Sequence, residues 1–256
     1  MPYEACLHVI APEDLALMDA CYRPLGFQTR DASAHVTLAK AREWVATCAP
    51  LVERLGPRAS GELRDRVKMV RELAEDAPVT ADGFAMSIYW LFELLASEFL
   101  AKGARLHASL RYAIRNEAVY EAFHRRNLDG KMLVPLWPAV YEKDRAHTFA
   151  SSPITHSPFG RFYVWRSAGE VRAFFEPRGF LFKRTEDPLK PPTPEQVIAI
   201  KKERSFYVSP TTGLEDARRA IEAARADWAA QVELLRTAAR LGAAFLGVCQ
   251  DTTDYE

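Results

Sequence analysis

Hydrophobic side chains repeat most densely in the segment Gly83–Gly103, whose sequence is GFAMSIYWLFELLASEFLAKG. One helical stripe of this segment includes Leu95, and further apolar residues, Trp90 among them, fill its flanks. A helix that is hydrophobic nearly all round is either buried in a protein or spans a membrane. Glu93 and Glu98 interrupt the apolar run, which argues against a membrane span. The pattern therefore predicts the buried central helix of a soluble core.

A strand and a helix are predicted at the start of the chain. Tyr3–Ile10 has the apolar character of a strand, and Pro12 stands at the first position of a helix that ends before Pro24. A short extended piece, Phe27–Arg30, then completes a β-α-β-like unit over residues 3–30.

A second unit of the same kind is predicted over residues 162–184. It consists of a strand at Phe162–Trp165, a helix at Ser167–Phe175 with Glu170 in the capping-box position, and a strand at Phe180–Lys183. The sequences YRPLGF and FEPRGF stand at corresponding places in the two units. This recurrence is either chance or a true internal repeat.

Helical spacing of apolar residues dominates residues 39–126, which are predicted to form a helical insertion between the two units. Pro50 is expected to kink or break the first of these helices, and Ser60 is expected to cap the next one. Leu106–Ile114 alternates as a strand would and fits a helix equally well, so both interpretations stay open.

A long amphipathic helix is predicted near the end of the chain. Thr212 and Glu215 have the spacing of a capping box at its start, Leu214 is assigned to its inward face, and Gly242 ends it. Ala244–Cys249 follows as a closing apolar strand.

Together these elements predict a helix-dominated α+β fold in a single compact domain, residues 1–256. Short strands from the termini and from the centre of the chain are expected to form one small sheet. Residues 187–194, with the sequence DPLKPPTP, are the stiffest stretch and the only candidate connector.

Charge and cysteine content narrow the function classes. Lys and Arg together number 34, as do Asp and Glu, so the formal net charge is zero at pH 7. A neutral chain has no general attraction for nucleic acid or anionic membrane, and neither is predicted as a partner. The four cysteines form no C-x-x-C pair, and no leader-like segment precedes the first strand. These features favour reduced thiols in a cytoplasmic protein.

The familiar catalytic and cofactor-binding motifs are missing from the sequence. It contains no G-x-G-x-x-G or G-x-x-x-x-G-K phosphate loop, no G-x-S-x-G elbow and no H-E-x-x-H zinc motif. No cofactor and no catalytic residue are therefore predicted. The alternative is a metal site or acid–base pair formed by His147 and His156, which lie close together in a loop-like region, with Asp144 or Glu142 as the orienting carboxylate.

Aromatic and arginine residues interleave between Trp137 and Trp165. Such side chains dominate the energetics of protein–protein interfaces. Two other interpretations are a loop held to the core by its aromatic residues and, against the zero net charge, an RNA-stacking surface. The predicted partner-binding residues are Trp137, Tyr141, Arg145, His147, His156, Arg161 and Trp165.

Three features resemble bacterial proteins of the YfbM-like group of unknown function. They are the opening strand followed by Ala-Pro-Glu-Asp-Leu, the central strand-to-helix segment Phe-Tyr-Val-Trp-Arg-Ser-Ala-Gly-Glu-Val, and the last helix that leads through Gly242 to an apolar strand. Some relatives of such small domains lie beside toxin genes, so the resemblance implies an immunity role.

A second resemblance concerns the first β-α-β-like unit. Leu7-His8-Val9 followed by Cys21-Tyr-Arg-Pro-Leu-Gly-Phe27 is similar to the first module of the vicinal-oxygen-chelate, or glyoxalase-like, group. This resemblance implies a metal-dependent enzyme in which His8 is a metal ligand. The second unit departs from that pattern, because it offers Tyr163 in place of a histidine and because the helical insertion is foreign to the group.

We therefore predict a non-catalytic cytoplasmic binding protein, most concretely a bacterial immunity or antitoxin-type protein that binds and neutralises a protein partner. The alternative is a metal-dependent enzyme of glyoxalase-like type that uses His8 or the His147/His156 pair.

Overall fold

The computed structural model describes residues 3–22, 38–75, 81–114, 118–119, 122–123, 155–156, 162–177, 179, 190–204 and 213–251. The chain divides into two compact units. The sheet unit comprises Met1–Val9, Ala108–Ile154 and Phe162–Glu256, and the helical unit comprises Ile10–His107 and Thr155–Arg161.

The described α-helices of the helical unit are α1 (Pro12–Tyr22), α2 (Leu38–Leu55), α3 (Gly61–Glu75) and α4 (Ala81–Glu98). A 3-10 turn, Gly56–Arg58, follows α2, and a π-helical turn, Phe99–Gly103, extends α4. Helix α1 begins at Pro12 as predicted, because the fixed φ of proline suits the first helical position.

Helix α2 continues through Pro50, so of the two outcomes predicted there, a kink or a break, the break does not occur. Pro50 is exposed to solvent, whereas Cys48 and Leu51 beside it are buried. Proline removes one backbone hydrogen bond, but burial of the inner face of α2, including the fully buried Trp44, holds the helix together.

Ser60 caps α3 as predicted, since its Oγ accepts a hydrogen bond from Leu63 N at 3.0 Å. The carboxylate of Glu98, at the end of α4, accepts hydrogen bonds from Ser60 N at 2.9 Å and from Ser60 Oγ. Lys102 Nζ lies 3.5 Å from the same carboxylate. Burial raises the pKa of Glu98, but the hydrogen bonds from Ser60 and the charge of Lys102 hold that pKa below its ordinary value. This carboxylate therefore links α3 to α4.

Helix α4 and its π-helical turn cover the segment Gly83–Gly103, for which the sequence predicts a buried helix. Leu95 is 1% exposed and Phe99 is fully buried. Trp90, which the sequence assigns to a filled flank, is instead 50% exposed. Gly103 ends the π-helical turn, where a Cβ atom would stand 2.7 Å from Cδ2 of Phe99. Any larger residue would force that buried ring to move.

A fully buried carboxylate, Asp14, is held by two arginines. Its Oδ1 lies 2.5 Å from Arg54 Nη2. Its Oδ2 accepts hydrogen bonds from the Arg105 backbone N–H at 2.8 Å and from Arg105 Nε at 3.1 Å. These hydrogen bonds and the charge of Asp14 raise the pKa of Arg105. The contacts join the first turn of α1 to the end of α2 and to the chain that follows α4.

The strands are β1 (Tyr3–Ile10), β2 (Leu106–Ile114), β3 (Thr155–His156), β4 (Phe162–Arg166) and β5 (Ala244–Asp251). The four longer strands follow the order β2-β1-β5-β4 in the sheet. Strands β4 and β5 are antiparallel, with Trp165 opposite Leu246. The first and last of the described strands, β1 and β5, are therefore neighbours.

The described helices of the sheet unit are α5 (Ala168–Ala173), α6 (Pro194–Arg204) and α7 (Leu214–Leu241). One apolar cluster joins β1, β5, α5 and α7 through Leu7, Phe245, Val171 and Leu235. A second cluster joins α6 to the first half of α7 through Val197, Ile200, Ala217 and Ile221. Helix α7 contributes to both clusters and so runs along the whole core of this unit.

The segment Leu106–Ile114 is a strand, which resolves the ambiguity left by the sequence. Leu110 and Tyr112 pack against the cluster that contains α7, whereas Ser109 and Arg111 are exposed. One face of the segment thus packs on the core while the other faces solvent, as a period of two requires.

The start of α7 differs from the prediction and its end agrees with it. Gly213 is the N-cap and has no side chain with which to cap the helix, whereas the predicted capping box requires Thr212 at that position. Thr212 itself lies outside the described residues. Glu215 instead forms an ion pair with an arginine in the first turn, and Leu214 is 45% exposed rather than inward. Gly242 ends the helix in the left-handed region at φ 62°, which is the conformation that favours glycine.

The predicted class is confirmed: the fold is α+β and helix-dominated, with a small sheet built from terminal and central strands. Within the described ranges, no helix is both long and apolar enough to cross a membrane. Phe27–Arg30 and Phe180–Lys183 lie outside the described residues, so the paired units 3–30 and 162–184 stay predictions. The single domain over residues 1–256 and the insertion over residues 39–126 stay predictions as well. In the predicted connector, residues 190–193 form neither helix nor strand.

Candidate functional site

Most of the predicted partner-binding residues lie outside the described part of the chain. These residues are Trp137, Tyr141, Arg145, His147 and Arg161. His156 is described only as one half of the two-residue strand β3. Their assignment to a partner-binding surface stays a prediction.

Trp165 is described, and its position corrects the prediction made for it. It is 6% exposed, and Tyr163, two residues before it on β4, is 2% exposed. Both lie on the same face of a strand that pairs with the buried strand β5, so their rings belong to the core. Trp165 therefore offers no surface to a partner.

The arginine that follows Trp165 is buried as well. Arg166 is 1% exposed, and its Nη1 donates a hydrogen bond to the Trp165 carbonyl at 3.1 Å. Burial lowers the pKa of Arg166 to about 10, against the opposing effect of the Glu170 carboxylate. An aromatic–arginine sequence typical of an interface is thus, at this point of the chain, part of a folded core.

His8, the candidate metal ligand of the alternative hypothesis, lies on β1 with its ring partly buried. Its Nδ1 forms a hydrogen bond with the Oγ of the exposed Ser109 on β2, at 2.8 Å. Burial lowers the pKa of His8, which favours the neutral imidazole that a metal ligand or general base requires. In the described ranges, no group of three His, Cys, Asp or Glu side chains could hold a metal ion.

The helical unit carries a surface that the sequence did not indicate. Four large hydrophobic residues are exposed in the described part of the chain, and they are Trp90, Leu106, Leu214 and Leu241. Trp90 is the aromatic one among them. The guanidinium carbon of Arg66 on α3 lies 5.0 Å from the centre of the Trp90 ring on α4. At this distance the guanidinium and the indole form a cation–π pair.

The helical period explains why Trp90 points outward. Ile88, Leu91, Phe92 and Leu95 bury one side of α4. At about 100° per residue, position 90 lies on the far side of the helix from this group. The signal was present in the sequence, but the assumption that the helix is buried all round concealed it. We call Arg66 and Trp90 together the Arg66–Trp90 pair.

Comparisons of the chain with protein-family models, curated proteins and solved structures find no match. The resemblances to YfbM-like proteins and to vicinal-oxygen-chelate modules therefore stay predictions. The geometry of the described residues carries the functional argument.

Proposed function

We propose that this chain is a non-catalytic protein-binding protein of immunity or antitoxin type, which masks a protein partner in the cytoplasm. The observation that carries the proposal is the exposed Trp90 beneath the guanidinium of Arg66. Tryptophan and arginine are the residues most enriched in the energetic centres of protein interfaces. A half-exposed tryptophan in a helix is costly to leave in water and is stabilised when a partner covers it.

The size of that stabilisation follows from the exposed area. A tryptophan buries roughly 200 Å² when it is fully covered, so covering the exposed half of Trp90 removes about 100 Å² from water. At about 25 cal/mol per Å², this contributes roughly 2.5 kcal/mol to binding. A single contact of this size is typical of an interface hot spot.

The test begins with capture of partners from a bacterial lysate on immobilised protein, followed by purification of each candidate and measurement of its Kd. We expect Trp90→Ala to weaken binding at least tenfold while its circular dichroism spectrum and melting temperature stay close to those of the unchanged protein. Leu241→Ala is the matched control, because Leu241 is 55% exposed and lies outside the helical unit. If the captured partner is toxic when expressed alone, co-expression of this chain should restore growth. A purified partner that binds Trp90→Ala as tightly as the unchanged protein would refute the proposed surface.

A second candidate function, a metal-dependent enzyme, rests on the partly buried His8, whose pKa is lowered by burial, and on the His147/His156 pair of the sequence. Elemental analysis of the purified protein distinguishes it from the first. A stoichiometric transition metal that is lost in His8→Ala or His156→Ala would favour the enzyme. A metal content below about one-tenth of an equivalent in all three proteins would leave the binding function as the better account.

A further inference from the structure

The contact that Arg66 makes differs from the ion pairs that several other basic residues of the described helices form. Seven of those residues pair with a carboxylate on the same or the continuous helix; the pairs are Lys68–Glu72, Lys102–Glu98, Arg218–Glu215, Arg219–Asp216, Arg225–Glu222, Arg236–Glu233 and Arg240–Glu233. Arg66 forms neither an ion pair nor a hydrogen bond with any residue that the structure describes, and its one specific contact is the ring of Trp90.

A carboxylate partner was available to Arg66 within its own helix. Glu62 precedes it by four residues, the spacing at which Glu and Arg pair on a helix surface. Glu62 is exposed and does not pair with Arg66, whose side chain extends over the indole on α4 instead. The stack on Trp90 thus takes the place of an ion pair along α3.

Stacking leaves the hydrogen-bonding capacity of a guanidinium unused. The contact with the ring engages no N–H donor of Arg66 in a hydrogen bond, and the five N–H donors of a guanidinium lie in one plane, where they match the two oxygens of a carboxylate. The stack also restricts the long side chain, so less conformational entropy is lost when a carboxylate binds. Arg66 is therefore positioned to form a bidentate pair with an acidic group that comes from outside the described chain.

From this geometry we infer that the Arg66–Trp90 pair receives a carboxylate side chain of a protein partner, with an apolar neighbour of that acid lying on the exposed indole. The inference rests on the proposed protein-binding function and adds the chemistry of the partner. Charge complementarity selects the occupant, because the one cation of the pair requires one negative group and the ring requires apolar surface beside it. A nucleic acid fits less well, since the chain has zero net charge and a phosphate backbone calls for several cations.

The inference is tested with a displayed library of random twelve-residue peptides, selected on the complete wild-type chain and counter-selected on Trp90→Ala. We expect the enriched peptides to share an Asp or Glu next to an aliphatic or aromatic residue. One enriched peptide and its twin with Gln in place of Glu are then titrated by fluorescence anisotropy against the wild type, Arg66→Gln and Arg66→Lys. Arg71→Gln is the matched control, because Arg71 is exposed on the same helix.

The loss of the acid from the peptide and the substitution Arg66→Gln should disrupt the same interaction. Loss of the acid in the peptide and loss of Arg66 should each weaken binding by about tenfold or more, and the combination should weaken it little further. Arg66→Lys should bind the peptide more weakly than the wild type does, because an ammonium lacks the planar set of N–H donors of a guanidinium. Arg71→Gln should bind the peptide as tightly as the wild type.

The possible failures are distinguishable. Enriched peptides that require Trp90 but carry no acid, or that bind Arg66→Gln as well as the wild type, would overturn the inference and leave the proposed function standing. A library that yields no peptide dependent on Trp90 would overturn both the inference and the proposed protein-binding function at this surface. Binding of a fluorescent single-stranded oligonucleotide that is lost in Arg66→Gln would overturn the inference in favour of a nucleic-acid site.

Discussion

Replacement of Asp14 by Ala should destabilise the protein by about 2–4 kcal/mol. Removing the carboxylate leaves the partly buried backbone N–H of Arg105 without its acceptor at 2.8 Å, which costs roughly 1–3 kcal/mol. The ion pairs with the two arginine side chains add less, because Arg54 is 39% exposed and Arg105 is 57% exposed, so both regain water when the carboxylate is lost. These two contributions together set the range.

The assay is urea unfolding at pH 7, followed by circular dichroism, with Asp14→Asn and Glu13→Ala measured in parallel. Asp14→Asn keeps an oxygen acceptor and should lose about half as much free energy of unfolding as Asp14→Ala. The side chain of Glu13 is 71% exposed, and Glu13→Ala should change the free energy of unfolding by less than about 0.5 kcal/mol. A loss below about 1 kcal/mol for Asp14→Ala, with an unchanged denaturant slope, would refute the argument that this carboxylate holds the helical unit together.

Three further predictions follow from single side chains. The pKa of Glu98 is lowered in the folded state, so its contribution to stability is present above the unfolded pKa of about 4.3 and is lost as the pH falls through the lower folded value. In Glu98→Gln the free energy of unfolding should therefore fall less steeply at acid pH than in the unchanged protein. Leu95→Ala should cost about 2–5 kcal/mol in thermal or urea unfolding, whereas Leu241→Ala, at an exposed position, should cost less than about 0.5 kcal/mol. Burial raises the pKa of Cys48, so a thiol-reactive dye such as Ellman's reagent should modify it only after denaturation, and rapid labelling of Cys48 in the native protein, located by peptide mapping, would contradict its buried position.

Local signals in the sequence predicted most elements of the fold correctly. Tyr3–Ile10 is a strand with the expected bounds, because its apolar character and the flanking Pro12 are both short-range features. The Ser167–Glu170 capping box forms with both of its hydrogen bonds, and Gly242 adopts the left-handed conformation. Such features depend only on residues within one turn and can therefore be predicted without the tertiary structure.

The errors arose where tertiary packing decides the outcome. At Pro50 the sequence allowed a kink or a break, and burial of Cys48 and Leu51 holds α2 in a helix without a break. Trp165 was assigned to a surface because aromatic and arginine residues surround it in sequence, but pairing with β5 places it in the core. Conversely, Trp90 was assigned to the core because its segment is apolar, although the helical period alone places it on the outer side. Composition identifies the residue types of a site, and only the paired strands and packed helices determine which of them reach solvent.

The place of β5 in the sheet has a consequence for how the protein is made. A ribosome releases β1 first, yet the strand that lies between β1 and β4 is β5, which emerges some two hundred residues later. The intervening helices α1 to α4 contact one another over short sequence separations and are free to form during translation. Until β5 arrives, however, the nascent chain carries β1 without its central neighbour. The β1-β5-β4 part of the sheet is thus assembled only after β5 has been synthesised, and in the interval β1 is a target for chaperones or for mispairing with another chain.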